Sequence, residues 1–233
     1  MSILVVQHEA DAPAGLLIAD DGPPTHVVRP YQGEDLPPSV AGHSGLIVLG
    51  GEMNAYQDAE YPWLAPTKGL IREAIGAGIP TLLVCLGHQL GAVALGGTVE
   101  RHPDPLWGVF PVRLTDAGRE DPLFAHLRAD ARVVHWNGDL VTVPPAGATV
   151  LAHDPRGGIQ VLRYGPRAWG VQCHPEVDVD IVGSWAASQS EEREAGSVAR
   201  AEAAMVEIRR EMPAVHRAWA PVLAAFADLA TPR

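Results

Sequence analysis

A chain of 233 residues with 47% hydrophobic and 19% charged side chains is long and apolar enough to close a full core, which excludes a disordered polymer. A formal net charge of −11, with 17 basic residues scattered and only Arg209 and Arg210 adjacent, excludes a phosphate-binding face and so a nucleic-acid partner. Two cysteines at dissimilar sites make no disulfide framework, no apolar run approaches a membrane span, and Met1-Ser-Ile-Leu-Val-Val enters a strand without a basic leader, so the expected location is cytoplasmic.

Short apolar runs alternate with helical stretches, the pattern of an α/β sheet. Ile3 to Gln7 predicts a first strand, Thr25 to Arg29 a second, and Gly45 to Leu49 a third with Gly50 and Gly51 at its carboxyl end. His8, Glu9 and Asp11, just past the first strand, read as a solvated loop. Trp63 to Ala77 predicts a helix, because Leu64, Ile71, Ala74 and Ile75 recur at helical spacing; Gly76 and Gly78 end it. Pro80 opens the next strand, Thr81 to Val84, which stops at Cys85 before an alanine- and leucine-rich helical pattern. From Val99 to Val171, prolines and glycines split the chain into short strands: Phe110 to Leu114, Arg132 to His135, Thr149 to Ala152 and Gln160 to Arg163. This predicts an antiparallel meander joined to the parallel sheet. Glu191 to Glu211 reads as a helix, with Glu191-Glu-Arg-Glu as its solvated start; Pro213 interrupts it and Val215 to Leu229 resumes. With no internal repeat and no low-complexity linker, residues 1–233 read as a single domain whose segment from about 190 to 233 is a helical cap.

The chemistry concentrates at three strand ends. A cysteine on a strand-to-helix turn is held with its sulfur exposed, and the first N–H groups of the helix favour its thiolate. Cys85 stands there, in Cys85-Leu-Gly-His-Gln89. A thiol nucleophile needs a base and the base an orienting group. Ala168-Trp-Gly-Val-Gln-Cys-His174-Pro-Glu176 supplies both, with Pro175 restricting the backbone between imidazole and carboxylate. Cys173 reads as a core residue. The third turn, Gly50-Gly51-Glu52, is no phosphate loop, since no Gly-Lys-Ser/Thr follows. Strand carboxyl ends are where open α/β sheets bind ligands. Ten histidines invite a metal, yet no pair has ligand spacing on one helix, so neither metal nor cofactor is expected.

The cysteine turn and the His-Pro-Glu turn together resemble the class I glutamine amidotransferase family, most closely its free-standing members similar to the amidotransferase half of guanosine monophosphate synthetase. Leu46-Ile-Val-Leu-Gly-Gly51 resembles the family's oxyanion turn, Ala94-Leu-Gly-Gly-Thr-Val the segment closing the nucleophile helix, and Trp136-Asn-Gly-Asp139 with Val143-Pro-Pro-Ala-Gly its substrate-side loop and following strand. The resemblance implies a flavodoxin-like α/β fold: an open, mostly parallel sheet flanked by helices, with an antiparallel extension. It implies a Cys85, His174, Glu176 triad. Gly51 and Leu86 would form the oxyanion hole, and Gln89, with the backbone near His135 and Trp136, would hold the substrate. The family's elbow carries glycine two residues before the cysteine, where this chain has Leu83. The implied activity is glutamine hydrolysis through a γ-glutamyl thioester, with ammonia passed to an acceptor on a separate synthetase subunit. Two alternatives stand beside it. One is a hydrolase of other γ-glutamyl amides; the other is a non-catalytic binding protein whose elbow Leu83 has spoiled.

Overall fold

A computed structural model describes residues 1–18, 22–189 and 196–231. The charge run Glu191 to Glu194 lies outside the described residues.

The first half alternates strands and helices. Strands β1 (Ser2–Val6), β2 (Thr25–Val28), β3 (His43–Val48) and β4 (Thr81–Val84) are joined with helices α1 (Leu64–Gly76), before β4, and α2 (Leu86–Ala94), after it. The meander then supplies β5 (Thr98–Pro111), β6 (Arg113–Leu114), α3 (Asp116–Arg119), β7 (Arg132–Val143), β8 (Thr149–His153), β9 (Ile159–Gly165) and β10 (Ala168–Val171), followed by α4 (Val179–Ala187) and α5 (Ser197–Ala230). Among the described residues, eight strands form one sheet in the order β2-β1-β3-β4-β10-β9-β8-β6. The β2-β1-β3-β4-β10 portion is parallel, and β9, β8 and β6 extend it antiparallel. This is the open, mostly parallel sheet that the alternation predicts. β4 is buried along its whole length, as expected of a central parallel strand covered on both faces.

Strand alternation divides the core. Ile3, Val5, Ile47, Leu82 and Val84 face the side covered by α5, whereas Leu4, Val6, Leu46, Val48 and Leu83 face α1 and α2. At the extension, buried Asp121 accepts from Trp169 Nε1 at 3.1 Å and from the Leu123 N–H at 2.9 Å, and pairs with Arg163. Every acceptor atom of that carboxylate is thus engaged away from water, which anchors the meander to β10.

Three elements depart from the sequence reading. First, Phe110 to Leu114 is not one strand: the pairing breaks at Val112, β5 runs back to Thr98, and β5 pairs with β7 as a separate two-stranded ribbon. Trp136 to Asp139 belongs to β7 in that ribbon rather than to a loop, with Trp107 opposite Trp136 and their rings stacked 4.9 Å apart. Cross-strand aromatic pairing overrides the local turn signal of Asn137-Gly138-Asp139. Second, α4 was not anticipated. Asp178 caps it through 2.9 and 2.8 Å bonds from the Asp180 and Ile181 N–H groups. Third, α5 runs unbroken through Pro213 and Pro221, both on its exposed side. An interior proline costs a helix about 3 kcal/mol. Here Met205, Ile208, Met212, Val215, Trp219, Val222 and Phe226 form one buried stripe at three- and four-residue spacing. A single such side chain recovers about 1.5–3 kcal/mol on burial, so packing wins. Trp219 Nε1 also donates to the Arg132 carbonyl at 3.1 Å. No described helix is long and apolar enough to cross a membrane.

Candidate active site

Three strand ends meet in one place. The carboxyl ends of β3, β4 and β10 deliver Gly50-Gly51, Cys85 and His174 to a cavity of about 300 Å³ that also borders Gln89, Trp136 and Glu176. Of the substrate-side residues the family pattern suggested, Trp136 and Gln89 reach the cavity wall. The His135 imidazole does not: it is fully buried, edge-on to Phe110 at 5.5 Å. Alternation along β7 explains the split, since neighbouring residues face opposite sides.

Cys85 is the sole non-glycine residue with positive φ among the described residues, at φ 50° and ψ −105°. Such a conformation costs about 1–3 kcal/mol and persists where surroundings over-determine it. They do so here. The Cys85 N–H donates to the Val171 carbonyl at 2.8 Å, and the Gly87 N–H donates to that of Leu49 at 3.1 Å. Helix and strand approach so closely that a Cβ on Gly87 would lie 2.2 Å from the Val48 carbonyl oxygen, so that position admits glycine alone. The Leu86 N–H stands in the first turn of α2, where helix donors have no intrahelical acceptor, so it is available to an oxyanion.

Leu83 is seated without displacing this turn. Its side chain is fully buried on the α2 side of the sheet, and a Cβ on Gly91 would fall 2.4 Å from its Cδ1. The bulk added to the elbow pattern two residues before the nucleophile is thus matched by bulk missing in α2. Gly91→Ala is therefore expected to destabilise the protein by about 1–3 kcal/mol through overpacking, and Leu83→Ala alone by about 2–5 kcal/mol through a cavity. The double variant should be more stable than the two losses summed. Urea unfolding of the four proteins measures this; strict additivity would mean that the two side chains do not compete for one space.

His174 Nδ1 lies 2.8 Å from Glu176 Oε1, and both residues are buried. Burial disfavours the imidazolium, yet the Glu176 carboxylate and the adjacent Cys85 sulfur more than offset this and raise the ring to about 10. Both neighbours thus favour the imidazolium form of His174. Its backbone N–H donates to the Val134 carbonyl at 2.8 Å, and its ring meets Trp185 of α4 edge-on at 4.7 Å. A Cβ on Gly50 would touch both His174 Cε1 at 3.4 Å and Cys85 Cβ at 3.5 Å, so this glycine sits between those two residues. Behind Glu176, the Leu16 N–H donates to its carbonyl at 2.8 Å, and Gly15 at φ +48° has no room for a side chain, since its Cβ would stand 2.1 Å from that oxygen. A Gly15–Leu17 turn far away in sequence thus fixes the backbone that carries the Glu176 carboxylate.

The structure adds residues at and behind the cavity wall that the sequence reading lacks. Gln172 Nε2 lies 3.6 Å from Cys85 Sγ, and Gln172 Oε1 accepts from Gln89 Nε2 at 3.3 Å; Gln89 also donates to the Asp139 carbonyl at 3.0 Å. The signal was present, because Gln172 falls between strand and His-Pro-Glu turn. Glu9 and Asp11, read from sequence as a solvated loop, instead line the cavity. The Glu52 N–H donates to Glu9 Oε1, and Trp185 Nε1 donates to the Asp11 carbonyl at 2.7 Å. Burial, then the neighbouring Glu52 and Asp11 charges, push the Glu9 carboxyl up to about 7 despite that N–H. Cys173 lies in the core, its thiol pushed well above the usual range by burial.

Residues 25–184 match the family model for class-I glutamine amidotransferases. The glutamine amidotransferase-like protein YfeJ of Salmonella typhimurium is 34% identical over 188 residues, 78% of either chain. A subunit of the glutamine-hydrolysing GMP synthase of Halobacterium salinarum is 35% identical over 142 residues, 60% of this chain and 70% of that one. A solved glutamine amidotransferase of Thermotoga maritima, 25% identical, matches 97% of this chain and 98% of its own with a TM-score of 0.83.

Proposed function

Because the chain belongs to the class-I glutamine amidotransferase family, we propose that residues 1–233 act as one domain that hydrolyses the side-chain amide of glutamine with Cys85 as nucleophile. The observation that carries this reading is the convergence of a strained cysteine, a histidine and the carboxylate bonded to it on one cavity. The Cys85 thiolate adds to the amide carbon. The oxyanion is held by the N–H groups of Gly51 and Leu86, each donor contributing about 3 kcal/mol. The His174 imidazolium, oriented by Glu176, gives its proton to the departing ammonia and then, as the neutral base, activates the water that hydrolyses the γ-glutamyl thioester. Gln89 and Trp136 border the space left for the glutamyl group.

Ammonia passes to an acceptor on a separate synthetase subunit. The relative that is itself named as one subunit of a GMP synthase supports this reading. A free thiol nucleophile suits a reducing compartment, so the cytoplasm is the proposed location. The seating of Leu83 against Gly91 weighs against a non-catalytic binding protein. A hydrolase of other γ-glutamyl amides is the second reading, favoured by the carboxylates Glu9 and Asp11 in the cavity wall, which a bare ammonia leaving group does not require.

Steady-state release of ammonia from glutamine, set beside amine release from γ-glutamyl amides, tests both readings. A diazo-ketone glutamine analogue is expected to label Cys85 and spare the buried Cys173. Peptide mapping with the label chiefly on Cys173 would remove Cys85 as nucleophile.

A further inference from the structure

The polar lining of the cavity is weighted toward hydrogen-bond acceptors. Asp139 is engaged by Arg101 and by Asn54 Nδ2 at 3.0 Å, and Glu176 is engaged by His174. Glu9 and Asp11 are different. Both line the cavity, two residues apart in the chain, and among the described residues neither forms an ion pair with a cationic side chain. Holding two partly buried carboxyl groups on one wall is unfavourable unless a proton or a cation compensates. Burial first, then the charges of Glu52 and Asp11, raise the proton affinity of Glu9.

A second observation is independent of those carboxylates. Asn137 lines the same cavity and is 6% exposed, and its Oδ1 is buried without a hydrogen-bond partner while its Nδ2 is turned to the Asp139 carbonyl. A buried acceptor left unsatisfied costs about 1–3 kcal/mol, which a donor arriving at this wall of the cavity would relieve. A third wall of the cavity is aromatic. Trp107 and Trp136 are stacked, Trp185 stands 6.3 Å from Trp136, and Arg200 already lies over the Trp107 ring at 4.9 Å. Indole faces attract cations and alkyl ammonium groups.

We propose that this site accepts γ-glutamyl amides whose leaving amine carries a second positive charge, the amides of alkyl diamines and polyamines, with Glu9, Asp11 and Asn137 receiving the distal ammonium. The inference rests on the hydrolytic reading of Cys85. Cys85 Sγ bonds to the γ-carbonyl carbon, the C–N bond breaks, and the diamine nitrogen leaves with the His174 proton. Water then cleaves the thioester, so that γ-glutamyl diamine and water give glutamate and diamine.

The test compares purified protein on γ-glutamylputrescine, on γ-glutamylpentylamide, in which a methyl replaces the distal ammonium, and on glutamine. The charged amide is expected to exceed its neutral counterpart at least about tenfold in kcat/KM, about 1.4 kcal/mol of differential recognition. Glu9→Gln and Asp11→Asn are expected to narrow that ratio to about threefold or less. If glutamine or the pentylamide is turned over and the ammonium gives no advantage, the inference is overturned while the hydrolytic reading stands. If none of the three is turned over, the hydrolytic reading fails and the inference falls with it.

Discussion

Replacing His174 by alanine is expected to lower glutamine hydrolysis by about 10⁴- to 10⁶-fold, because nucleophile and base act as one unit and removing either forfeits nearly the whole contribution. Glu176→Gln is expected to cost less, about 10²- to 10⁴-fold, since the amide keeps a contact to Nδ1 but loses the charge that holds the ring protonated. The sign of the pH effect follows from that charge. In the native site Glu176 and Cys85 raise His174 to about 10 against the opposing effect of burial. Without the carboxylate the imidazolium is lost at lower pH, so the alkaline limb of the kcat/KM profile moves toward neutrality in Glu176→Gln. Steady-state kinetics over pH, on variants whose circular dichroism matches the parent, measure both effects. A wild-type rate and an unmoved alkaline limb in Glu176→Gln would reduce Glu176 to a structural residue.

Acid is expected to unfold the protein steeply, through histidines outside the proposed triad. His8, His88 and His135 are fully buried, and burial lowers them to about 4, 3 and 3 from an ordinary value of 6.5. His88 Nδ1 meets the Tyr164 hydroxyl at 2.8 Å and His8 Nδ1 accepts from Trp63 Nε1 at 3.2 Å, while the His135 ring packs edge-on against Phe110. Below 6.5 the unfolded chain protonates all three rings and the native state does not. The unfolded state then binds more protons, so stability falls as pH falls, by about 1.4 kcal/mol per proton per pH unit. Glu9, raised to about 7 from 4.5, opposes this in the same window by less than one proton, because it is partly exposed to screening solvent. The net slope is about 3–4 kcal/mol per pH unit between about pH 6 and pH 4.5. Above 6.5 the sign reverses: folded His174 keeps the proton that the unfolded chain releases, and its contribution is lost as pH rises through 10. Stability should peak near neutrality, and denaturant titrations at a series of pH values test this. A flat stability from pH 6.5 to 5 would refute the neutral burial of these rings.

Much of the molecule is legible in the amino-acid sequence because its signals are local. The strand Thr81–Val84 matches its predicted limits, since a short apolar run between Pro80 and Cys85 has no other low-energy use. The class of the sheet follows from alternation, and the nucleophile and the His-Pro-Glu turn from residue types at strand ends. Their two-residue spacing is enough to bring Nδ1 and Oε1 within 2.8 Å. What the sequence could not supply depends on contacts between distant segments. Pro213 reads locally as a helix break, and only the buried stripe facing the sheet carries α5 through it. Trp136-Asn-Gly-Asp139 resembles a family loop until Trp107 arrives across the ribbon to stack on Trp136. Glu9 and Asp11 follow a strand like any solvated loop, and it is Trp185 of α4, 174 residues beyond Asp11, that draws them against the cavity. Leu83 violates the elbow pattern in one dimension and is resolved in three by the absent side chain of Gly91. By itself the sequence determined the sheet and the place of Cys85, His174 and Glu176 at strand ends, because hydrophobic period and residue chemistry act over a few positions. The tertiary structure alone decided the walls of the cavity, because burial and close approach are properties of segments that meet only when the chain is folded.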